Sequence, residues 1–115
     1  MTTNSQTHVL IQDIQHLIAV QPESIISRTV YSDSQINVVI FGFDAGQSLS
    51  DHAATQAATI QILQGEATVT LAGETIEANS DTWIHMPPNT VHSVVAKTPL
   101  ILLLTLLKTS SARSV

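Results

Sequence analysis

After Pro22 the chain is a succession of short β-rich runs, each closed by turn residues. Clusters of Asp, Ser, Gly and Asn separate these runs from one another. Many short strands at regular spacing are typical of a β-sandwich or a β-barrel, so the pattern predicts an all-β domain. The runs cover residues 25–31, 36–43, 59–63, 67–71, 75–77, 82–86, 93–96 and 100–107.

The N-terminal segment has a different pattern. Its apolar residues at positions 10, 11, 14, 17 and 18 follow helical spacing, which predicts one short helix over residues 9–20. Pro22 should end that helix, because the residue before a proline is pushed out of the helical region. We expect residues 1–8 to be disordered, residues 9–108 to form a single domain and residues 109–115 to form a flexible tail.

The composition argues against several classes of function. The net charge is −5 and the four basic residues form no patch, whereas a nucleic-acid-binding protein needs a basic face. The absence of cysteine removes disulfides, zinc–thiolate sites and thiol nucleophiles. No apolar run approaches the length of a membrane span, and the N-terminus lacks the features of a signal peptide. We therefore expect a cytoplasmic protein with no nucleic-acid and no membrane partner.

Two short motifs narrow the fold further. In the first motif, five residues separate Gly46 from His52, and six residues separate Ala58 from Gly65. The second motif is PPNTVH, which ends at His92. Both motifs end or begin at predicted turns between β-rich runs.

Together the two motifs resemble the signatures of the cupin superfamily, over about residues 36–107. Asn89 stands where that family usually has glycine, and asparagine preserves the turn because it tolerates left-handed backbone. The sequence is particularly similar to short bacterial cupins of unassigned function. The resemblance implies a double-stranded β-helix, the cupin jelly-roll barrel, with one short N-terminal helix.

The metal site that the resemblance implies is only partly present. Cupins usually take three ligands from the first motif and one histidine from the second, and here only His52 and His92 match. Ala54 and Ala58 fill other ligand positions, and alanine has no lone pair to offer. If one strand runs unbroken through this region, Gln56 shares a face with His52. His52, His92 and Gln56 are then the candidate ligands for a weakly held Fe, Mn, Zn or Ni ion.

The alternative is a leftover histidine pair, hydrogen-bonded to each other or to water, in a mostly apolar cavity. The two alanines widen the barrel mouth, which suits a small, mainly apolar ligand whose polar group meets the histidines. The competing expectation is that bulky neighbouring side chains fill the barrel mouth and leave no cavity. The predicted pocket lining is His52, Gln56, Ile60, Ile62, Ile84, Met86, His92 and Val94.

Three functions follow from these observations. The preferred one is a ligand-binding cupin with a degenerate metal site and no classical metal-dependent catalysis. The second is a metal-dependent enzyme of isomerase or dioxygenase type that uses His52 and His92, as the resemblance implies. The third is a structural or partner-binding dimer without an internal site.

The sequence also predicts a homodimer. Charged residues make up only 11% of the chain, which is low for a small domain with much surface. In the last β-rich run, residues 100–107, both alternating sets of side chains are largely apolar, a pattern typical of a strand covered on both faces. A partner subunit would cover the second face; the rival expectation is that residues 25–31 of the same chain fold over it. His85 has the opposite parity to Ile84 and Met86, so we expect it on the other side of the sheet.

Overall fold

The computed structural model describes residues 7–108. Within that range one 3-10 helix, Ile14–Leu17, precedes nine strands. The strands are β1 (Ile25–Ser32), β2 (Ile36–Phe43), β3 (Ser48–His52), β4 (Ala58–Gln64), β5 (Glu66–Leu71), β6 (Glu74–Asn79), β7 (Trp83–Met86), β8 (His92–Ala96) and β9 (Leu100–Leu107). The predicted disorder and tail at residues 1–6 and 109–115 lie outside the described residues, and residues 7 and 8 have no regular secondary structure.

Two antiparallel sheets form the predicted jelly roll. The five-stranded sheet has the order β1-β2-β9-β4-β7, and the four-stranded sheet has the order β3-β8-β5-β6. Alternate side chains of both sheets meet between them, with Ile62 and Leu102 from one sheet and Val69 and Val94 from the other. No helix of the described part of the chain is long and apolar enough to cross a membrane.

The N-terminal helix is much shorter than residues 9–20. A single 3-10 turn forms after Asp13, whose backbone is left-handed with φ 54°. The segment that follows the turn lies on the sheet instead: a Cβ built at Gly42 would be 3.6 Å from Ile18 Cγ1 and from the Val20 backbone. Arg28 Nη1 donates a hydrogen bond of 3.0 Å to the Leu17 carbonyl oxygen. Contact with β1 and β2 has therefore overridden the helical spacing.

The turn between β1 and β2 is fixed by one carboxylate. Asp33 accepts backbone hydrogen bonds from Gln35 N at 2.7 Å and from Ile36 N at 2.9 Å. These bonds favour the charged form and hold the pKa of Asp33 below its usual value. Such a side-chain-to-backbone turn sets the register in which β2 returns along β1.

Between β4 and β5 the chain crosses from one sheet to the other through one residue, Gly65. β4 of the five-stranded sheet ends at Gln64, and β5 of the four-stranded sheet begins at Glu66. Gly65 has φ +95°, and a Cβ there would collide with the Pro99 carbonyl oxygen and lie 2.9 Å from Thr98 Oγ1. The glycine of the first motif is thus required by both backbone conformation and space.

We expect Gly65→Ala to destabilise the fold more than Gly73→Ala, which provides a matched control. Gly73 also has positive φ, at +87°, but nothing lies within 4 Å of its built Cβ. The control should cost about 1–2 kcal/mol for the left-handed backbone, and Gly65→Ala about 1–3 kcal/mol more for overpacking. Denaturant unfolding of both variants measures the difference. Equal losses would contradict a steric requirement at Gly65.

Candidate functional site

A small cavity lies between the two sheets and contains both motif histidines. Its volume is about 30 Å³, which is room for about two water-sized groups. Half the lining residues are buried and form a floor, whereas the others form a rim, in which His52 is exposed and the three apolar residues are partly exposed. The floor consists of Ile60, His92, Val94 and Leu102, and the rim consists of Phe41, Leu49, His52 and Leu104. A larger groove, of about 470 Å³, lies beneath the N-terminal segment, away from both motif histidines.

The two histidines face each other across neighbouring strands. His52 is the last residue of β3, His92 is the first of β8, and the two are direct partners in the strand register. Their ring centroids are 4.1 Å apart and the rings are tilted by 55°. The predicted juxtaposition of the two motifs is therefore present.

The turn before β8 delivers His92 to this position. Asn89 has φ 68°, the left-handed conformation that a glycine would adopt there. Thr90 Oγ1 donates to the Pro87 carbonyl oxygen at 2.8 Å, and Asn89 N donates to the Ala54 carbonyl oxygen at 2.7 Å. The second bond ties the turn to the loop that follows His52, so both motifs are held together by their backbones.

Backbone carbonyls fix the orientation of both imidazole rings. His52 Nδ1 lies 3.1 Å from the Ser50 carbonyl oxygen, and His92 Nδ1 lies 3.0 Å from the Thr90 carbonyl oxygen. A carbonyl oxygen can only accept, so each Nδ1 must carry the hydrogen and donate it. In a neutral ring the proton is then absent from Nε2, which keeps a lone pair. Both rings are therefore acceptors at Nε2, and the expected hydrogen bond between them cannot form through these atoms.

The acceptor on His92 has no protein partner within residues 7–108. His92 is only 6% exposed, the only polar or charged residue described as buried in the core. The one side-chain hydrogen bond of His92 in the described residues uses Nδ1. An unpaired buried acceptor costs about 1–3 kcal/mol. Such a group is retained at a cost in stability, which is typical of a binding site rather than of a packing position.

The prediction that Gln56 lies beside the histidines assumed one unbroken strand through this region, and that assumption is wrong. No single strand runs from residue 52 to residue 62, because β3 ends at His52 and β4 begins only at Ala58. Gln56 lies in the intervening loop and is not part of the cavity lining. The alternation argument fails here because a loop does not keep the two-residue period of a strand.

Other predicted pocket residues divide between the cavity and the core. Ile60 and Val94 line the cavity, whereas Ile62, Ile84 and Met86 are buried in the core cluster and are not part of the lining. Met86 instead faces Ala58, which is 2% exposed, across the β4–β7 pair. The space left by alanine at position 58 therefore belongs to the core.

Sequence analysis missed lining residues on β3 and β9. Leu49 is on β3, and Leu102 and Leu104 are on β9. Leu102 is the register partner of Phe41 and Leu104 is the partner of Ile60. The alternation of residues 100–107 indicates that Leu102 and Leu104 share the inward face of their strand. The strand order that brings β9 beside β4 does not follow from one sequence.

His85 is exposed on the outer side of β7, as predicted.

The residues at the site do not fit the metal centre that the motif resemblance implies. Two imidazoles reach the cavity, and residues 7–108 contain no group of three His, Cys, Asp or Glu side chains that could hold an ion. A catalytic zinc site normally uses three protein ligands, and the facial iron site needs a carboxylate with its two histidines. No carboxylate lines this cavity.

Comparisons with known proteins agree with the geometry. A family model described as a cupin domain matches residues 39–106. A cupin superfamily protein from Desulfitobacterium hafniense has 22% sequence identity and a TM-score of 0.79, with 84% of this chain and 88% of that one covered. A protein of unknown function from Streptococcus pyogenes has 25% identity and a TM-score of 0.80, with coverages of 93% and 94%. An RmlC-like cupin from Desulfovibrio desulfuricans has 24% identity, a TM-score of 0.78 and coverages of 88% and 98%. No curated protein matches the chain.

Proposed function

We propose a binding function for this chain, which belongs to the Cupin_2 family of cupin domains. Its barrel would hold a small, mainly apolar molecule at the mouth, without a metal ion and without catalysis. The observation that carries the proposal is the buried, unpartnered Nε2 of His92 beside His52 in an otherwise apolar cavity.

The division of the cavity into floor and rim supports this mode of binding. About 30 Å³ admits only a small polar head group between the two histidines. The body of a ligand would then lie on the partly exposed side chains of Phe41, Leu49 and Leu104. Apolar walls with a few polar groups that fix orientation are the usual composition of a small-molecule site.

The donor set favours binding over the metal-dependent alternative. Two imidazoles offer fewer ligands than a catalytic metal site normally has, and Gln56 does not line the cavity to supply a third. The proposal therefore gives His52 and His92 the role of hydrogen-bond acceptors for the ligand rather than of metal ligands.

A thermal-shift screen of small neutral molecules tests the proposal. We expect some molecules to raise the Tm of the unmodified protein by several degrees, because a ligand at 100 times its Kd stabilises by about 2.7 kcal/mol. The shift should be lost in His92→Leu and reduced in His52→Ala. His85→Ala is the matched control, since it removes an exposed histidine from the outer side of β7.

Two results would count against this function. One is a set of Tm shifts that stay the same in His92→Leu, His52→Ala and His85→Ala, since binding would then lie outside the cavity. The other is iron, manganese, zinc or nickel at half an equivalent or more in protein prepared without a histidine tag, lost on His52→Ala.

The predicted homodimer has a candidate surface, the outer face of β4, β7 and β9. None of the outward-facing residues there is charged, although the chain carries −5 overall. Trp83 is 63% exposed on this face and stacks on His85 with ring centroids 6.5 Å apart. The outer face of the other sheet carries the Lys97–Glu77 ion pair instead. The outward-facing set is Thr59, Gln61, Trp83, His85, Leu103, Thr105 and Leu107.

We propose that a second copy covers this uncharged face by twofold pairing, because two acidic chains approach there without direct charge repulsion. Light scattering at micromolar concentration should give twice the chain mass of 12.3 kDa. Trp83→Lys should shift the mass toward the monomer. Val95→Lys is the control, since Val95 is 41% exposed on the outer face of the four-stranded sheet. A monomeric mass for the unmodified protein would contradict pairing.

A further inference from the structure

We infer that the head group of the cavity's ligand is a neutral hydrogen-bond donor to the buried Nε2 of His92, of which the NH2 of a primary amide is a simple example. This inference rests on the proposed binding function and specifies the chemistry of the head group. It follows from the number, the type and the surroundings of the polar atoms that the cavity offers.

The cavity offers two acceptors and no side-chain donor. Each Nδ1 hydrogen is already used on a backbone carbonyl, that of Ser50 for His52 and that of Thr90 for His92. Each neutral ring therefore directs a lone pair from Nε2, and the six remaining lining residues are all apolar. A head group with acceptors only would leave the buried lone pair of His92 unpaired, whereas the exposed His52 can accept from water.

Charge excludes the commonest acidic head group. No Lys or Arg of the described residues 7–108 lines the cavity, so a carboxylate would enter apolar surroundings without a counter-charge from them. The lone pairs of the carboxylate oxygens would also be repelled by the Nε2 lone pairs of the two imidazoles. A neutral group avoids both penalties.

A second donor hydrogen can reach the acceptor on the rim. The two rings are direct strand partners with centroids 4.1 Å apart, close enough for one small group to reach both. One hydrogen satisfies the buried Nε2 of His92, and a second hydrogen on the same group can replace water at the exposed His52. An NH2 group offers both hydrogens within a volume of about 30 Å³.

Three probes of similar size separate these requirements. Benzamide is neutral with two donor hydrogens, methyl benzoate is neutral with none, and benzoate is anionic with none. We would titrate each into 15N-labelled protein at pH 8, above the ordinary imidazole pKa of about 6.5, and follow the imidazole nitrogens. Benzamide should shift both Nε2 signals and bind at least about tenfold more tightly than methyl benzoate, with benzoate weakest.

Variants assign the preference to the histidine pair. His52→Ala removes one acceptor at the exposed rim, so the preference for benzamide over methyl benzoate should fall to about threefold. His85→Ala, outside the cavity, should leave the preference unchanged.

The outcomes distinguish the donor requirement from ligand binding in the barrel. If methyl benzoate or benzoate binds as tightly as benzamide and shifts the same nitrogens, the donor requirement is wrong while binding in the barrel stands. If no probe shifts either imidazole, the inference and the proposed binding function both fail.

Discussion

The structure depends on the insertion of the last strand between two early ones. β9 pairs with β2 on one side and β4 on the other, so the five-stranded sheet is complete only when residues 100–107 are in place. The same strand supplies Leu102 to the cavity floor and Leu104 to its rim. Because these pairings join distant parts of the chain, the loop-closure entropy of folding must be overcome before the site exists.

Residues that the two motifs place at turns could be predicted well from the sequence. Gly65 and Asn89 both have the positive φ that their motif positions require. His52 and His92 meet because each motif sits at the end of a strand in the same sheet. The two turn conformations are local in sequence, and local backbone chemistry largely determines them, whereas the meeting of the histidines is a long-range pairing that the motif resemblance implied.

What could not be predicted depended on tertiary contacts. Residues 9–20 have helical spacing, but only Ile14–Leu17 form a turn, and Ile18 and Val20 lie against Gly42 of the sheet instead. Gln56 was assigned to the cavity by strand alternation, which a five-residue loop between β3 and β4 interrupts. Leu102 and Leu104 entered the lining through strand order. Periodicity indicates which side chains share a face, but not which strand lies opposite.

The chemistry of the site follows from alanine at the positions where the family places further ligands. Two imidazoles remain, and their Nδ1 atoms are held by the backbone of their own strand ends. In a metal site the same arrangement would orient Nε2 toward the ion. Without the other ligands it leaves a pair of acceptors in an apolar cavity, which suits hydrogen-bond donors.

The protonation of the two rings is the central claim of this account. A two-bond 15N–1H correlation spectrum of the imidazole groups at pH 8 reads it directly in the unmodified protein. The account predicts that both His52 and His92 carry the hydrogen on Nδ1 and have an unprotonated Nε2. A hydrogen on Nε2 of either ring would contradict the acceptor pair and the ligand chemistry derived from it.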